Sequence, residues 1–132
     1  MFGVNHPEKL IKSTPGPTSN INSGSFGEKL ALEVLKGNGF RIIERNFRSR
    51  LGEIDIVAEK DKALYFVEVK TRWSLKYGRA VEAVTPKKVA KIKKVGQFYA
   101  KLHPDFPQKL RLAVVAIEFS GDKISKRLIL ID

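Results

Sequence analysis

The chain has 132 residues, 42% hydrophobic and 30% charged, with 25 lysines and arginines against 14 acids, a net charge of +11 and no cysteine. That length holds one domain with one core rather than two, and the missing cysteines exclude disulfides and thiolate zinc sites and agree with a cytoplasmic location. No apolar run is long enough to span a bilayer, no basic helix carries the broad apolar face that an anionic membrane needs, and a small domain this basic attracts polyanions, nucleic acid first among them.

Residues 1–23 are rich in Pro, Ser, Asn, Gly and Thr, lack the apolar stretch of a secretory signal, and read as a disordered leader before a domain over 24–132. Ser25 can cap a helix over 25–36, which Gly37-Asn38-Gly39 ends because Gly and Asn tolerate the left-handed backbone. Strands are predicted over 40–46, 54–59 and 64–70, with the polar turn Glu59-Lys60-Asp61-Lys62 between the second and third. A loop over 71–86 leads to a long helix over 87–102, broken at 103–107. A strand over 110–119 reads as buried on both faces, from its run Leu112-Ala113-Val114-Val115-Ala116-Ile117. A turn over 120–123 and a strand over 124–131 complete the chain. The helix between the third and fourth strands is long enough for a parallel, right-handed crossover. The fold class is α/β, a mixed β-sheet flanked by helices in the order α-β-β-β-α-β-β.

Two short runs carry chemistry: Gly52-Glu53-Ile54-Asp55 and Val67-Glu68-Val69-Lys70. Opposed residues of an antiparallel pair share a face. A loop at 60–63 puts Glu59 opposite Leu64 and Asp55 opposite Glu68. A two-residue loop at 60–61 makes Glu68 the diagonal neighbour of Asp55, and a register one residue away from these sends the acids to opposite faces. Two carboxylates so close repel, and one takes up a proton unless a cation lies between them. Mg²⁺ or Mn²⁺ suits such a pair, keeping water and phosphate among its ligands. Lys70 shares the face of Glu68 and can hold a phosphate or polarise a water. On the first helix Phe26, Leu30, Ala31, Val34 and Leu35 form the buried stripe by 100° steps, with Glu28 at its edge. There Glu28 either joins the acids or makes a rim salt bridge.

The basic residues fall into groups around these runs. Arg48 and Arg50 precede the second strand; Arg72, Lys76 and Arg79 follow the third. Lys87, Lys91, Lys94 and Lys101 share one stripe of the long helix, able to track a phosphate backbone or simply to face solvent. Lys88 lies on the wheel with Ile92, Val95 and Tyr99. Trp73 and Tyr77 can stack on a splayed base or cover the core edge. His6 and His103 are isolated, and nothing reads as a base-specific element.

An Asp, a dozen residues, then Glu-x-Lys, after a helical Glu, resembles the PD-(D/E)xK nuclease superfamily and most closely its Holliday-junction resolvases. Gly27-Glu28, Arg45-Asn46, Gly52-Glu53-Ile54-Asp55 and Phe66-Val67-Glu68-Val69-Lys70-Thr71-Arg72 resemble the YraN-like family of small bacterial proteins, over residues 24 to about 119. The resemblance implies a restriction-endonuclease-like fold and a metal-dependent DNA endonuclease, acting on branched or structured DNA and able to form a homodimer. It implies Asp55, Glu68 and the Val69 carbonyl as metal ligands, Glu28 as a ligand through water, and Lys70 as the group orienting the attacking water. Lys88 matches a lysine of the family pattern. One departure stands out: the family pattern has an Asp near Ala113. That leaves, as the alternative, a nucleic-acid-binding module with little or no catalysis, and beside it a protein-interaction subunit whose charge is incidental.

Overall fold

The computed structural model describes residues 20–131, with side chains from residue 25 onward. Helix α1 (Asn20–Gly37) leads into strands β1 (Arg41–Ser49), β2 (Gly52–Lys60) and β3 (Ala63–Arg72). A 3₁₀ turn (Ala80–Ala83), helix α2 (Pro86–Leu102), and strands β4 (Leu110–Ser120) and β5 (Lys123–Leu130) follow. The order is the predicted one. Most of the leader expected over 1–23, His6 included, lies outside the described residues, while residues 20–23 already belong to α1. The 3₁₀ turn inside the expected loop is new.

The helix α1 closes as its Gly and Asn predict. The Phe40 N–H reaches Leu35 O (3.0 Å) and the Gly39 N–H reaches Lys36 O (3.1 Å), with Gly39 left-handed at φ 87°. The sheet has the spatial order β1-β2-β3-β4-β5. All neighbours are antiparallel except β3 and β4, which run parallel and are joined through α2. A helix covers each face. On one side Leu30, Val34 and Leu35 of α1 pack on Ile56, Val67, Val115 and Ile117. On the other Ile92, Val95 and Tyr99 of α2 pack on Val57, Leu64 and Phe66. Strand β4 is buried from Leu112 to Phe119, serving both faces as its apolar run predicts.

The α2 contact is unusually close at Gly96. A Cβ there would stand 2.6 Å from the Phe66 ring, so only glycine lets the helix sit this near β3. Between β2 and β3 the two-residue turn is Asp61-Lys62, both left-handed (φ 51° and 64°), the backbone of a type I′ hairpin. It sets Glu59 opposite Leu64 and Lys60 opposite Ala63. This is the first of the two registers that bring Asp55 and Glu68 together.

Candidate active site

The site forms where the hairpin stops pairing. Regular β2–β3 pairs run from Lys60↔Ala63 to Ile56↔Val67. One step on, the same count puts Asp55 opposite Glu68, but the ladder has ended. Instead the Asp55 Oδ2 accepts the Val69 N–H at 2.7 Å, so a carboxylate stands where a strand carbonyl would. The apolar residues either side of Asp55 go to opposite faces, Ile54 to the α2 side and Ile56 to the α1 side. Regular alternation would put them together, so β2 turns over at Asp55. On its other flank β1 pairs through Arg45↔Ile56 and Phe47↔Ile54, which leaves Asn46 facing position 55. Asn46 is left-handed (φ 56°), a conformation Asn tolerates better than most residues.

Helix α1 brings Glu28 to this gap. A Cβ at Gly27 would fall inside contact distance of Thr71 Oγ1, so glycine allows the helix to lie directly against the end of β3. Glu28 is half-buried. Its Oε1 accepts from Arg45 Nη2 (3.2 Å) and, more weakly, from Asn46 Nδ2 (3.4 Å). Glu28 therefore makes the rim salt bridge weighed in the sequence and also stands close enough to Asp55 to act on its charge. Arg45 and Asn46, visible only as motif residues, prove to be the groups that hold Glu28.

Strand β3 and helix α2 supply the cations. Glu68 is buried, its side chain 7% exposed, and lysines meet it from two elements. Lys70 Nζ lies 3.8 Å and Lys88 Nζ 3.7 Å from the same Oε2. These are ion pairs rather than hydrogen bonds. A lone carboxylate buried this deeply would cost several kcal/mol, and two lysines offset that. Lys88 occupies the first turn of α2, where a cation opposes the helix dipole. The turn is fixed by Thr85 Oγ1, which accepts the Lys88 N–H at 3.2 Å, and by Pro86.

Burial is the main cause that raises the pKa of Asp55, to about 6; the Val69 N–H opposes the rise, and Glu68, Glu28 and Glu53 add to it. Among the described residues no three of His, Cys, Asp and Glu lie close enough to enclose a metal on their own. The donors present are oxygen-only: Asp55, with Glu68 and Glu28 near enough to act on its charge. That set does not fit a protein cage for zinc. It fits an ion of the Mg²⁺ kind, which takes one or two carboxylates and completes its shell with water and phosphate.

The remaining candidates divide. Arg50, Lys87, Lys91, Lys94 and Lys101 are exposed, and the Lys91 stem crosses Gly52 at the start of β2. Arg48 is exposed and within 3.8 Å of Glu53. Arg72 is half-buried and Lys76 exposed. Arg79 differs from the expectation. Its Nε reaches both oxygens of the buried Glu118 at 2.9 Å and its Nη2 reaches Oε1 at 2.8 Å, so its guanidinium anchors the loop rather than facing a phosphate. Nothing in the sequence singled out Glu118, an acid inside an apolar strand. Ala113 packs in the α1-side core beside Val67.

A mixed five-stranded sheet between two helices, with an Asp and a Glu-x-Lys at the splayed end of its central hairpin, defines a domain of the restriction-endonuclease-like superfamily. The sequence model of the uncharacterised protein family UPF0102 matches residues 27–117. Similar proteins described as UPF0102 proteins include one from Syntrophomonas wolfei, 46% identical over 98 residues (74% of this chain, 85% of the relative). One from Caldicellulosiruptor bescii is 48% identical over 99 residues (74% and 83%). One from Mycolicibacterium vanbaalenii is 34% identical over 109 residues (83% and 90%). The chain belongs to UPF0102, the YraN-like family of the resemblance. Among the described residues no helix is long and apolar enough to cross a membrane.

Proposed function

We propose that this protein is a divalent-metal-dependent DNA endonuclease whose site is Asp55, Glu68 and Lys70, with Glu28 and Lys88 beside them. The observation that supports the reading is the Asp55 carboxylate bound to the Val69 N–H, one residue from Glu68 and near enough for Glu68 to act on its charge, with Lys70 Nζ 3.8 Å from Glu68. Asp55 and Glu68 would hold Mg²⁺ or Mn²⁺, with the Val69 carbonyl as a third donor and Glu28 acting through water. A bound ion there would supply Lewis-acid stabilisation of the charge that develops on the phosphate and a more acidic water. The chain's own groups do the rest. Lys70, about a third exposed and beside Glu68, orients the attacking water or holds a non-bridging phosphate oxygen. Lys88 adds positive charge on the same side, and Glu28, fixed by Arg45 and Asn46, accepts a hydrogen bond from solvent in the gap. The α2 lysines and Arg48 and Arg50 hold DNA by its backbone.

The test is cleavage of branched, single-stranded and duplex DNA with Mg²⁺ or Mn²⁺. Activity should vanish with Asp55→Ala or Glu68→Ala and fall about 10²- to 10³-fold with Lys70→Ala. Cleavage indifferent to the two acidic substitutions, or no cleavage of any substrate, would overturn the reading.

A second reading is a DNA-binding module with little catalysis. One observation favours it, that Glu68 already has two lysines against it; the resemblance, which implies an Asp near Ala113, points the same way. It predicts salt-dependent binding with no metal-dependent nicking.

A further inference from the structure

The loop that follows Lys70 is built to hold one aromatic ring in solvent. Its two ends are pinned on adjacent residues of β4. Trp73 stacks on Phe119 (ring centroids 4.1 Å apart, planes 8° apart), and Arg79 grips Glu118, which also accepts the Ala80 N–H at 2.7 Å. Between the pins lies a turn. The Gly78 N–H donates to Leu75 O (3.1 Å), and the Lys76 N–H donates to Ser74 Oγ (3.1 Å). Gly78 is left-handed at φ 111°, and Glu82 Oε1 lies where its Cβ would point while accepting the Arg79 N–H at 3.0 Å. Lys76 and Tyr77 are the central residues of this turn. Tyr77 is 83% exposed, and its ring has Lys76 Nζ 5.5 Å from its centroid. An exposed aromatic ring has hydrophobic area to bury, and a loop tied at both ends keeps it from folding back.

A second feature lies on β3, between the carboxylates and this loop in sequence. By strand alternation Glu68, Lys70 and Arg72 share a face of β3. The Arg72 Nε is buried and has no hydrogen-bond acceptor among the described residues. The residue as a whole is half-buried, and an anion that reaches its guanidinium would offset its charge. In sequence the positions run carboxylate, lysine, arginine, then lysine and tyrosine, all leaving the same end of β3.

We propose that Tyr77 stacks on an unpaired base of DNA while Arg72 and Lys76 hold phosphates of the same strand, so that the substrate is single-stranded or branched. The proposal deepens the nuclease reading by naming its substrate class, and rests on nucleic acid being the ligand. The chemistry is that of single-strand recognition, a cationic track with an aromatic face for the base. A duplex interior offers no free base face, so the site favours ends, gaps and junctions.

The test uses the full chain in EDTA, so it is independent of metal and cleavage. The probe is a single strand carrying 2-aminopurine, with a duplex of the same sequence for comparison. Binding should quench the 2-aminopurine. Tyr77→Ala should abolish the quench and weaken single-strand affinity about 5- to 100-fold, with duplex affinity changing less than about twofold. Tyr77→Phe should keep both quench and affinity, and Arg72→Gln should weaken the strand without restoring fluorescence. Unchanged quench and affinity in Tyr77→Ala would overturn this proposal alone, leaving the exposed Leu75 and Tyr77 to a protein partner. Equal weakening of single strand and duplex would overturn it too. Failure of the unaltered protein to bind either DNA would overturn both this proposal and the nucleic-acid reading beneath it.

Discussion

Val69 donates its backbone N–H to the Asp55 carboxylate at 2.7 Å, across the gap where β2 and β3 cease to pair. The bond does two things. It holds the acid in place on a splayed strand, and it partly offsets the burial and like charges that push Asp55 up to about 6.

The raised Asp55 pKa has a definite consequence for stability. Below about pH 4 the carboxyl is protonated in folded and unfolded chains alike. From about 3.8 upward the unfolded chain ionises while the folded chain keeps its proton, so stability falls as pH rises and the loss is complete above about 6. The interval from 3.8 to about 6 corresponds to about 3 kcal/mol. Asp55→Asn keeps an oxygen for the Val69 N–H and removes the charge. Urea unfolding should show it about 1–3 kcal/mol more stable than the parent at pH 8 and no more stable at pH 4. Equal stability at pH 8 would mean the carboxylate is not repelled as described.

A cation in the gap should reverse that repulsion. Mg²⁺ or Mn²⁺ at 100 times its dissociation constant adds about 2.7 kcal/mol to the folded state. The melting temperature should therefore rise with metal at pH 8. At pH 5 the rise should be small, because protons compete for Asp55. Glu68→Gln should remove the rise at both pH values, while a metal effect that survives it would place the ion elsewhere.

Much of this was legible in the residues, for local reasons. The buried stripe of α1, the two-faced β4 and a choice of two hairpin registers follow from periodicity and turn chemistry. Those signals are short-range, and a register is fixed once one turn is fixed. Of the two loops the sequence allows, the one over 60–63 gives the observed register, tightened to the two residues Asp61-Lys62. What the sequence could not supply were contacts between distant elements. Arg79 reads as a free cation until Glu118 is seen 39 positions away. Gly27 reads as a poor helix residue until Thr71 is found against it. Asn46 in a strand has no local signal for its left-handed backbone or its reach to Glu28.

The Gly27–Thr71 contact predicts that Gly27→Ala is destabilising despite alanine's better helix propensity. The added methyl must push α1 from β3, an overpacking cost of about 1–3 kcal/mol. Thr71→Ala in the same chain should recover part of it. Denaturation of the two single variants and the double should give a clear coupling energy. If the alanine stabilises, the close approach is not real.

Loss of the Glu118 anchor should loosen one loop rather than the whole domain. Arg79 is the main cause holding the Glu118 carboxyl below the usual carboxylate range. The pair therefore stabilises the fold above that range, and its contribution is lost as pH falls through the lowered value. Glu118→Gln should lower the melting temperature at pH 7 and speed amide hydrogen exchange over residues 73–79. The two helix faces should exchange as before. Uniform acceleration throughout would contradict a local pin.

DNA affinity should carry a salt signature from α2. Replacing Lys91 and Lys94 with alanine should reduce the slope of log affinity against log salt by about 2 for duplex DNA, near one counterion per lysine. Binding with an unchanged slope would move the DNA off this helix.

The most direct measurement is anomalous diffraction from a crystal soaked in Mn²⁺ at pH 8. One anomalous peak is expected, bonded to carboxylate oxygens of both Asp55 and Glu68 and absent from crystals of Glu68→Gln. A lattice at full Mn²⁺ occupancy elsewhere with no peak between those two side chains would contradict it.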